Sequence, residues 1–234
     1  MKPYYEDKYV TIYNADCREI LPGLPKVDLV LTDPPYGIPI MTDGSFYGGK
    51  NRAANGKAYL PVAGNDEQFN PSLLFAASFN QILWGANHYA PKLPHNGRWL
   101  VWDKRCQQQP TRTQSDCELA WCSDYGAARI FYHVWDGMIK DSERGIPRQH
   151  PTQKPVALMK WCISFYPATK TILDPFLGSG TTVRAAKDLL RKSIGIEIDE
   201  KYCEISARRC QQSVFEFKAQ EKRDATCNTT KVLL

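Results

Sequence analysis

Asp33, Pro34, Pro35 and Tyr36 follow directly on the aliphatic run 27–32, and together they have the residue types needed to hold a weakly nucleophilic amine. The run reads as a strand buried on both faces. Ligands of open parallel sheets bind in the crevice outside such strand ends. Prolines lack N–H donors and fix φ, so the corner presents carbonyl oxygens on a stiff backbone. An exocyclic amine on a nucleobase has its lone pair delocalised into the ring. Two acceptors, the Asp33 carboxylate and the Pro34 carbonyl, would take its two N–H protons and favour a tetrahedral nitrogen. Tyr36 offers a flat face on which a base that has left its duplex can stack, worth about 1–3 kcal/mol. Taken alone, the tetrapeptide is equally well read as a proline-rich turn.

A second cluster lies late in the chain. The segment "ILDPFLGSGTT" (172–182) follows one strand and opens a helix, the context that a nucleotide-type turn requires. Gly178 and Gly180 would let backbone approach a ligand without a Cβ clash. Glu197, at the end of the next strand, is placed to accept two hydrogen bonds from a ribose diol. Only two glycines are present, however, and Asp174 stands at the strand tip. A carboxylate there repels a pyrophosphate and welcomes an ammonium group, so adenosine joined to an amino-acid tail, as in S-adenosylmethionine, fits better than a dinucleotide. The turn by itself leaves nucleotide, cofactor and plain strand-to-helix readings open, the last with Ser179 or Thr181 as a helix cap.

The elements that must position these clusters alternate. Strands are expected over 9–17, 27–32, 82–87, 98–104, 117–122, 128–135, 171–174 and 192–199, and helices over 71–81, 155–166, 181–190 and 200–217, with Pro71 and Pro155 at helix starts. This alternation predicts an α/β fold with a doubly wound, mostly parallel sheet. The expected division is a catalytic part (1–104) with a mobile loop over 37–64, an insertion over 105–149, a cofactor-binding part (150–217) and a frayed polar tail (218–234).

Composition narrows the class without choosing within it. At 234 residues, with 43% hydrophobic and 12% aromatic content, the chain can bury one substantial core. No apolar run is long enough to cross a bilayer and the first residues lack a signal-peptide core, so the expectation is a cytosolic protein without a membrane partner. The eight cysteines form no C-x-x-C pair and no histidine lies at ligand spacing beside them, which predicts free thiols and no metal. A net charge of +5 suits a polyanion and equally suits a solvated surface.

In order along the chain, "NADC" (14–17), "TDPPYG" (32–37), "HPTQKP" (150–155), "DPFLGSGTT" (174–182) and "GIEID" (195–199) resemble the motifs of the DNA amino-methyltransferases that act on adenine N6 or cytosine N4. A catalytic motif placed ahead of the cofactor loop is similar to the β subgroup. The resemblance implies a Rossmann-like methyltransferase fold, S-adenosylmethionine as cofactor and duplex DNA as partner. It implies that Asp33, Pro34 and Tyr36 hold the target base, with Pro35 stiffening the turn. It further implies that Asp16 and Cys17 lie by the cofactor adenine, that Asp174, Pro175, Phe176, Gly178, Gly180 and Thr181 surround the cofactor, and that Glu197 takes its ribose. Lys154 and the helix after it would face the cofactor carboxylate. Asp rather than Ser at the first catalytic position goes more often with adenine in the family, so N6 of adenine is the implied target and N4 of cytosine the alternative. An RNA substrate or a non-catalytic DNA-binding remnant is a further alternative. Segment 105–149 stands where the family places target recognition. There Arg105, Arg112, Arg144 and Arg148, with Lys50 and Arg52 of the loop, are candidate DNA contacts.

Overall fold

A computed structural model of the chain describes residues 2–37, 64, 67–106, 115–136 and 139–211. The interior of the loop expected over 37–64, the tail 218–234, and Lys50, Arg52 and Arg112 lie outside the described residues. The strands are β1 (Tyr5–Glu6), β2 (Val10–Asn14), β3 (Leu29–Thr32), β4 (Gln81–Trp84), β5 (Arg98–Asp103), β6 (Cys117–Cys122), β7 (Arg129–Tyr132), β8 (Trp135–Asp136), β9 (Ile139–Lys140), β10 (Thr171–Asp174) and β11 (Lys192–Glu197). The helices are α1 (Cys17–Ile20), α2 (Ser72–Phe75), α3 (Val156–Ser164), α4 (Thr181–Asp188) and α5 (Glu200–Gln211).

Nine of the strands form one sheet in the order β1-β2-β11-β10-β3-β4-β6-β5-β7. Its middle is parallel from β2 through β4, as the alternation of strands and helices predicts. β1 runs antiparallel at one edge, and β6 runs antiparallel to both β4 and β5. β3 is buried at every position because it is central, with β10 on one side and β4 on the other. Its side chains alternate between the faces. Leu29 and Leu31 pack with Ile172, Leu158, Cys162 and Ala186 beneath α3 and α4, while Val30 packs with Leu83, Leu173 and Ile196 on the other face. Each fully buried Leu or Ile contributes roughly 1.5–3 kcal/mol. A third cluster joins Val10 and Ile12 of β2 to Val183, Cys203 and Ala207, seating α5 against the sheet.

Three expectations change on folding. Segment 105–149 is not one insertion, because β6 and β7 fall inside it and are ladder strands of the main sheet, paired with β4 and β5. What stands apart from the sheet is the β8–β9 hairpin and the chain that follows it. The helix expected over 71–81 shrinks to one turn. The Gln81 side chain donates to the carbonyls of Leu74, in the last turn of α2, and Ser78, in the loop after it, at 2.8 and 2.9 Å, bracing the chain as it turns into β4. Pro155 is the N-cap of α3 rather than its first helical residue, and the first orphan amide, on Val156, donates to Glu143 Oε2 at 3.0 Å.

β3 and β10 are parallel neighbours, yet the chain leaves β3 toward β4 on one side and β10 toward β11 on the other. The crevice of a doubly wound sheet opens where connections diverge in this way. Asp33 and Asp174 are the residues at its rim.

Candidate active site

The pairing of Ile172 with Leu29 and Leu173 with Val30 brings the 33–36 corner and the 174–180 turn side by side. The Thr32 hydroxyl ties them directly, donating to Asp174 Oδ1 at 2.6 Å. Both open on one cavity of about 930 Å³, whose walls include Asp16, Asp33, Tyr36, Lys154, Asp174 and Glu197.

Two glycines shape the turn. Gly178 and Gly180 have φ of +51° and +78°, which an L side chain rarely adopts. A Cβ on Gly180 would also lie 2.7 Å from the Ser206 side chain. α5 holds the turn from behind: Ser206 Oγ donates to the Gly178 carbonyl at 2.9 Å, and Arg209 Nη1 donates to the Ser179 carbonyl at 2.8 Å and to Thr181 Oγ1 at 3.2 Å. Gly178 N–H donates to Glu197 Oε2 at 2.7 Å and Asp199 N–H to Oε1 at 2.9 Å, so this carboxylate is fixed by one amide on each oxygen. Phe176 packs edge-on against Phe69, their centroids 5.4 Å apart. Pro175 and Cys17 also line the cavity. Asp16 caps α1, accepting from the Arg18 amide at 2.9 Å, and its carboxylate is paired with the Arg18 guanidinium.

This end of the cavity is acidic and short of cations. Burial pushes Asp174 up to about 6 despite hydrogen bonds from Thr182, Thr32 and the Phe176 amide. Burial also raises Glu197, against the Asp199 and Gly178 amides that favour its ionised form. Among the described residues neither pairs with a side-chain cation. A ligand that carries its own positive charge completes such a site, and glycine backbone beside a fixed carboxylate suits a ribose. The residues fit S-adenosylmethionine.

The corner is built differently. Asp33 Oδ2 accepts from the Lys154 ammonium and Oδ1 from the Tyr36 hydroxyl. Lys154 is 4% exposed and also pairs with Glu118 Oε2 at 3.2 Å, while Glu118 Oε1 lies 3.1 Å from Lys104 Nζ. Burial alone would lower Lys154, but Asp33 and Glu118 outweigh it and hold the amine protonated. Burial would raise Glu118, yet Lys154 and Lys104 bring it down to about 2. The expectation that Lys154 serves the cofactor carboxylate is therefore corrected: its ammonium is committed to Asp33 and Glu118. The Tyr36 ring stacks on His88 with centroids 5.1 Å apart and an interplanar angle of 18°. Gly85, at φ +66°, makes room for that ring, because a Cβ there would lie 1.9 Å from it.

The candidate DNA contacts separate. Arg105 is 7% exposed and paired with Asp116 at 2.5 Å, so it ties the end of β5 to the start of β6 rather than facing a duplex. Arg148 donates to the Trp135 carbonyl at 3.1 Å, bracing the β8–β9 hairpin. Arg144 is exposed and donates through Nε to the Lys140 carbonyl at 2.9 Å. Sequence reasoning missed Glu118, Phe69, Ser206 and Arg209. For Glu118 the available signal was one carboxylate in the otherwise apolar run "CELAWC". Among the described residues no group of three or more His, Cys, Asp or Glu is arranged to hold a metal, and no helix is long and apolar enough to cross a membrane.

The comparisons with known proteins bear on the family and the fold. The profile of the N6/N4 methyltransferase family, described as DNA methylase, matches residues 65–208. The type II methyltransferase M.ScaI of Streptomyces caespitosus is 28% identical over 288 residues, spanning 92% of this chain and 86% of its own. The PvuII DNA methyltransferase, described as cytosine-N4-specific, superposes with a TM-score of 0.60 at 16% identity, covering 90% of this chain and 89% of its own. The M1.HpyAVI–SAM complex superposes at 0.51 and 24% identity, covering 87% and 100%. These two likenesses concern the fold. With more than half its length matched by the family profile and both motif clusters on one crevice, the chain belongs to the N6/N4 family of DNA methylases.

Proposed function

We propose that this chain methylates the N6 amine of adenine flipped out of duplex DNA, using S-adenosylmethionine. One observation carries the reading: Asp33 and Pro34 stand at one end of the cavity whose other end is the acidic, glycine-lined turn. The cofactor, when bound, supplies a methyl group already activated by a sulfonium charge. Asp174, Gly178 and Glu197 would hold it. The chain's remaining task is to present the amine. The Asp33 carboxylate and the Pro34 carbonyl accept its two hydrogens, which draws the lone pair out of conjugation and aims it along the cavity. Tyr36, backed by His88, supplies a stacking face. The preorganised acceptors lower the barrier by alignment, since none of them must reorient as charge develops. Asp33 at the first catalytic position supports adenine over cytosine.

Duplex DNA incubated with the protein and methyl-labelled S-adenosylmethionine, then digested to nucleosides, should yield labelled N6-methyladenine. Label in N4-methylcytosine would overturn the choice of base, and label appearing only when RNA is supplied would overturn the choice of nucleic acid.

A further inference from the structure

A buried ammonium is stable only where its charge is matched, and breaking such a match is far more damaging than never having built it. Lys154 sits between two carboxylates. Asp33 comes from the catalytic corner, and Glu118 comes from β6, opposite Trp102 in the ladder with β5. Lys154 Nζ also lies 3.4 Å from the Tyr36 hydroxyl and 5.7 Å from the centre of the Trp84 ring. Glu118 is in turn held by Lys104, so two carboxylates and two ammonium groups form a chain that ends on Asp33. Nothing in the family motifs requires β6 to contribute a charge here.

We infer that Glu118 is a positioning residue for methyl transfer: acting through Lys154, it orients Asp33 and offsets the lysine's charge at the target amine. The inference rests on the proposed function in taking Asp33 as the acceptor for that amine. A lysine alone against Asp33 would draw off the carboxylate's charge and weaken it as an acceptor. It would also repel the positive charge that builds on nitrogen as the N–C bond forms and before the amine sheds its proton. Glu118 cancels that repulsion while keeping the lysine's grip on Asp33 Oδ2. It cannot act on the amine itself, because Lys154 stands between Glu118 and Asp33.

The titratable groups facing Asp33 are Lys154 from the segment before α3, Glu118 from β6, Asp174 from β10, and two neutral phenols, Tyr36 from its own corner and Tyr89 from the turn after β4. Burial raises Asp33, Lys154 pulls it back and Glu118 adds to the rise. Removing Glu118 and removing Lys154 therefore push Asp33 in opposite directions, which loss of packing would not do.

The test follows the Asp33 carboxyl by carbon-13 NMR, assigned through Asp33→Asn, together with the pH dependence of kcat/KM on duplex DNA. Glu118→Gln should lower the Asp33 midpoint and the acid limb of the profile by about one pH unit. It should cut kcat about tenfold and leave the Kd of S-adenosylmethionine within about twofold. Glu118→Asp should restore most of the rate, and Lys154→Met should raise the midpoint. If Lys154→Met does not fold, the two Glu118 variants decide alone. An unchanged Asp33 midpoint in Glu118→Gln, or shifts of the same sign in Glu118→Gln and Lys154→Met, overturns the inference. A wild-type protein that methylates no nucleic acid overturns the proposed function instead, and the NMR midpoint still reads the effect of Glu118 on Asp33.

Discussion

At the turn end of the cavity, Asp174 and Glu197 take hydrogen bonds from hydroxyl and amide groups, whereas at the corner end Asp33 takes one from a buried ammonium. The two ends share one cavity, and burial raises the carboxylates at both. The difference lies in who supplies the compensating charge. Paired with no side-chain cation among the described residues, Asp174 and Glu197 would on the proposed reading form a receptacle for charge that a ligand brings. Asp33, whose charge Lys154 partly offsets, would on the same reading meet a neutral amine as an acceptor rather than as a full negative charge. The largest expected effect comes from erasing the second arrangement. Asp33→Ala should reduce methyl transfer by about a hundredfold to a thousandfold, while calorimetry finds S-adenosylmethionine binding within about threefold of wild type. Equal losses of both would mean that the two ends are one structural unit and the contrast is false.

The receptacle carries a stability cost that a mutation can expose. Burial raises Asp174 from an ordinary value of 3.8 to about 6. A folded-state value above the unfolded one means that the associated stability is fully present below about pH 4 and is lost as pH rises through about 6. At pH 7.5 the ionised group thus costs the empty fold up to about 3 kcal/mol. Asp174→Asn keeps an acceptor for the Thr32 hydroxyl and removes the charge. It should raise Tm by about 3–6 °C at pH 7.5, with the gain vanishing near pH 4, and weaken cofactor binding about tenfold or more. Scanning calorimetry at the two pH values checks the sign. A lower Tm at pH 7.5 would show that Asp174 is compensated within the chain, making the two ends alike.

How far this contrast was legible in the sequence depends on where its parts come from. Asp33, Pro34, Tyr36, Asp174, Gly178 and Gly180 stand in short runs directly after aliphatic strands, so local pattern places them at strand ends, and strand ends of a doubly wound sheet meet at the crevice. Glu118 is different. It reaches Lys154 because β6 inserts antiparallel between β4 and β5, a sheet order that no local pattern in "CELAWC" encodes. Lys154 misled for the opposite reason: it precedes the cofactor turn in sequence, yet the fold points it across the cavity to the corner. Within 105–149 the pattern predicts strands at 117–122 and 128–135 but not that they join the main sheet, since strands at an antiparallel flank carry mixed polarity and read like insertion. Arg105 looked like a phosphate contact because exposure is a property of the folded surface.

Asp16 offers the finest test, because it serves two purposes at once. Its side chain caps α1 by accepting from the Arg18 amide, and it also lines the cavity that Glu197 lines. A cap is a matter of a neutral acceptor, and Asn caps as well as Asp, whereas Ala forfeits about 1 kcal/mol. If the carboxylate also contacts the cofactor, the charge matters separately from the cap. Asp16→Asn should then leave Tm within about 1 °C and weaken S-adenosylmethionine binding about threefold to tenfold. Asp16→Ala should add a Tm drop of about 2–4 °C to a similar loss of affinity. Wild-type affinity in Asp16→Asn would assign Asp16 to the helix alone. The cation-accepting end of the cavity would then stop at Glu197, because Arg18 already satisfies the charge beyond it.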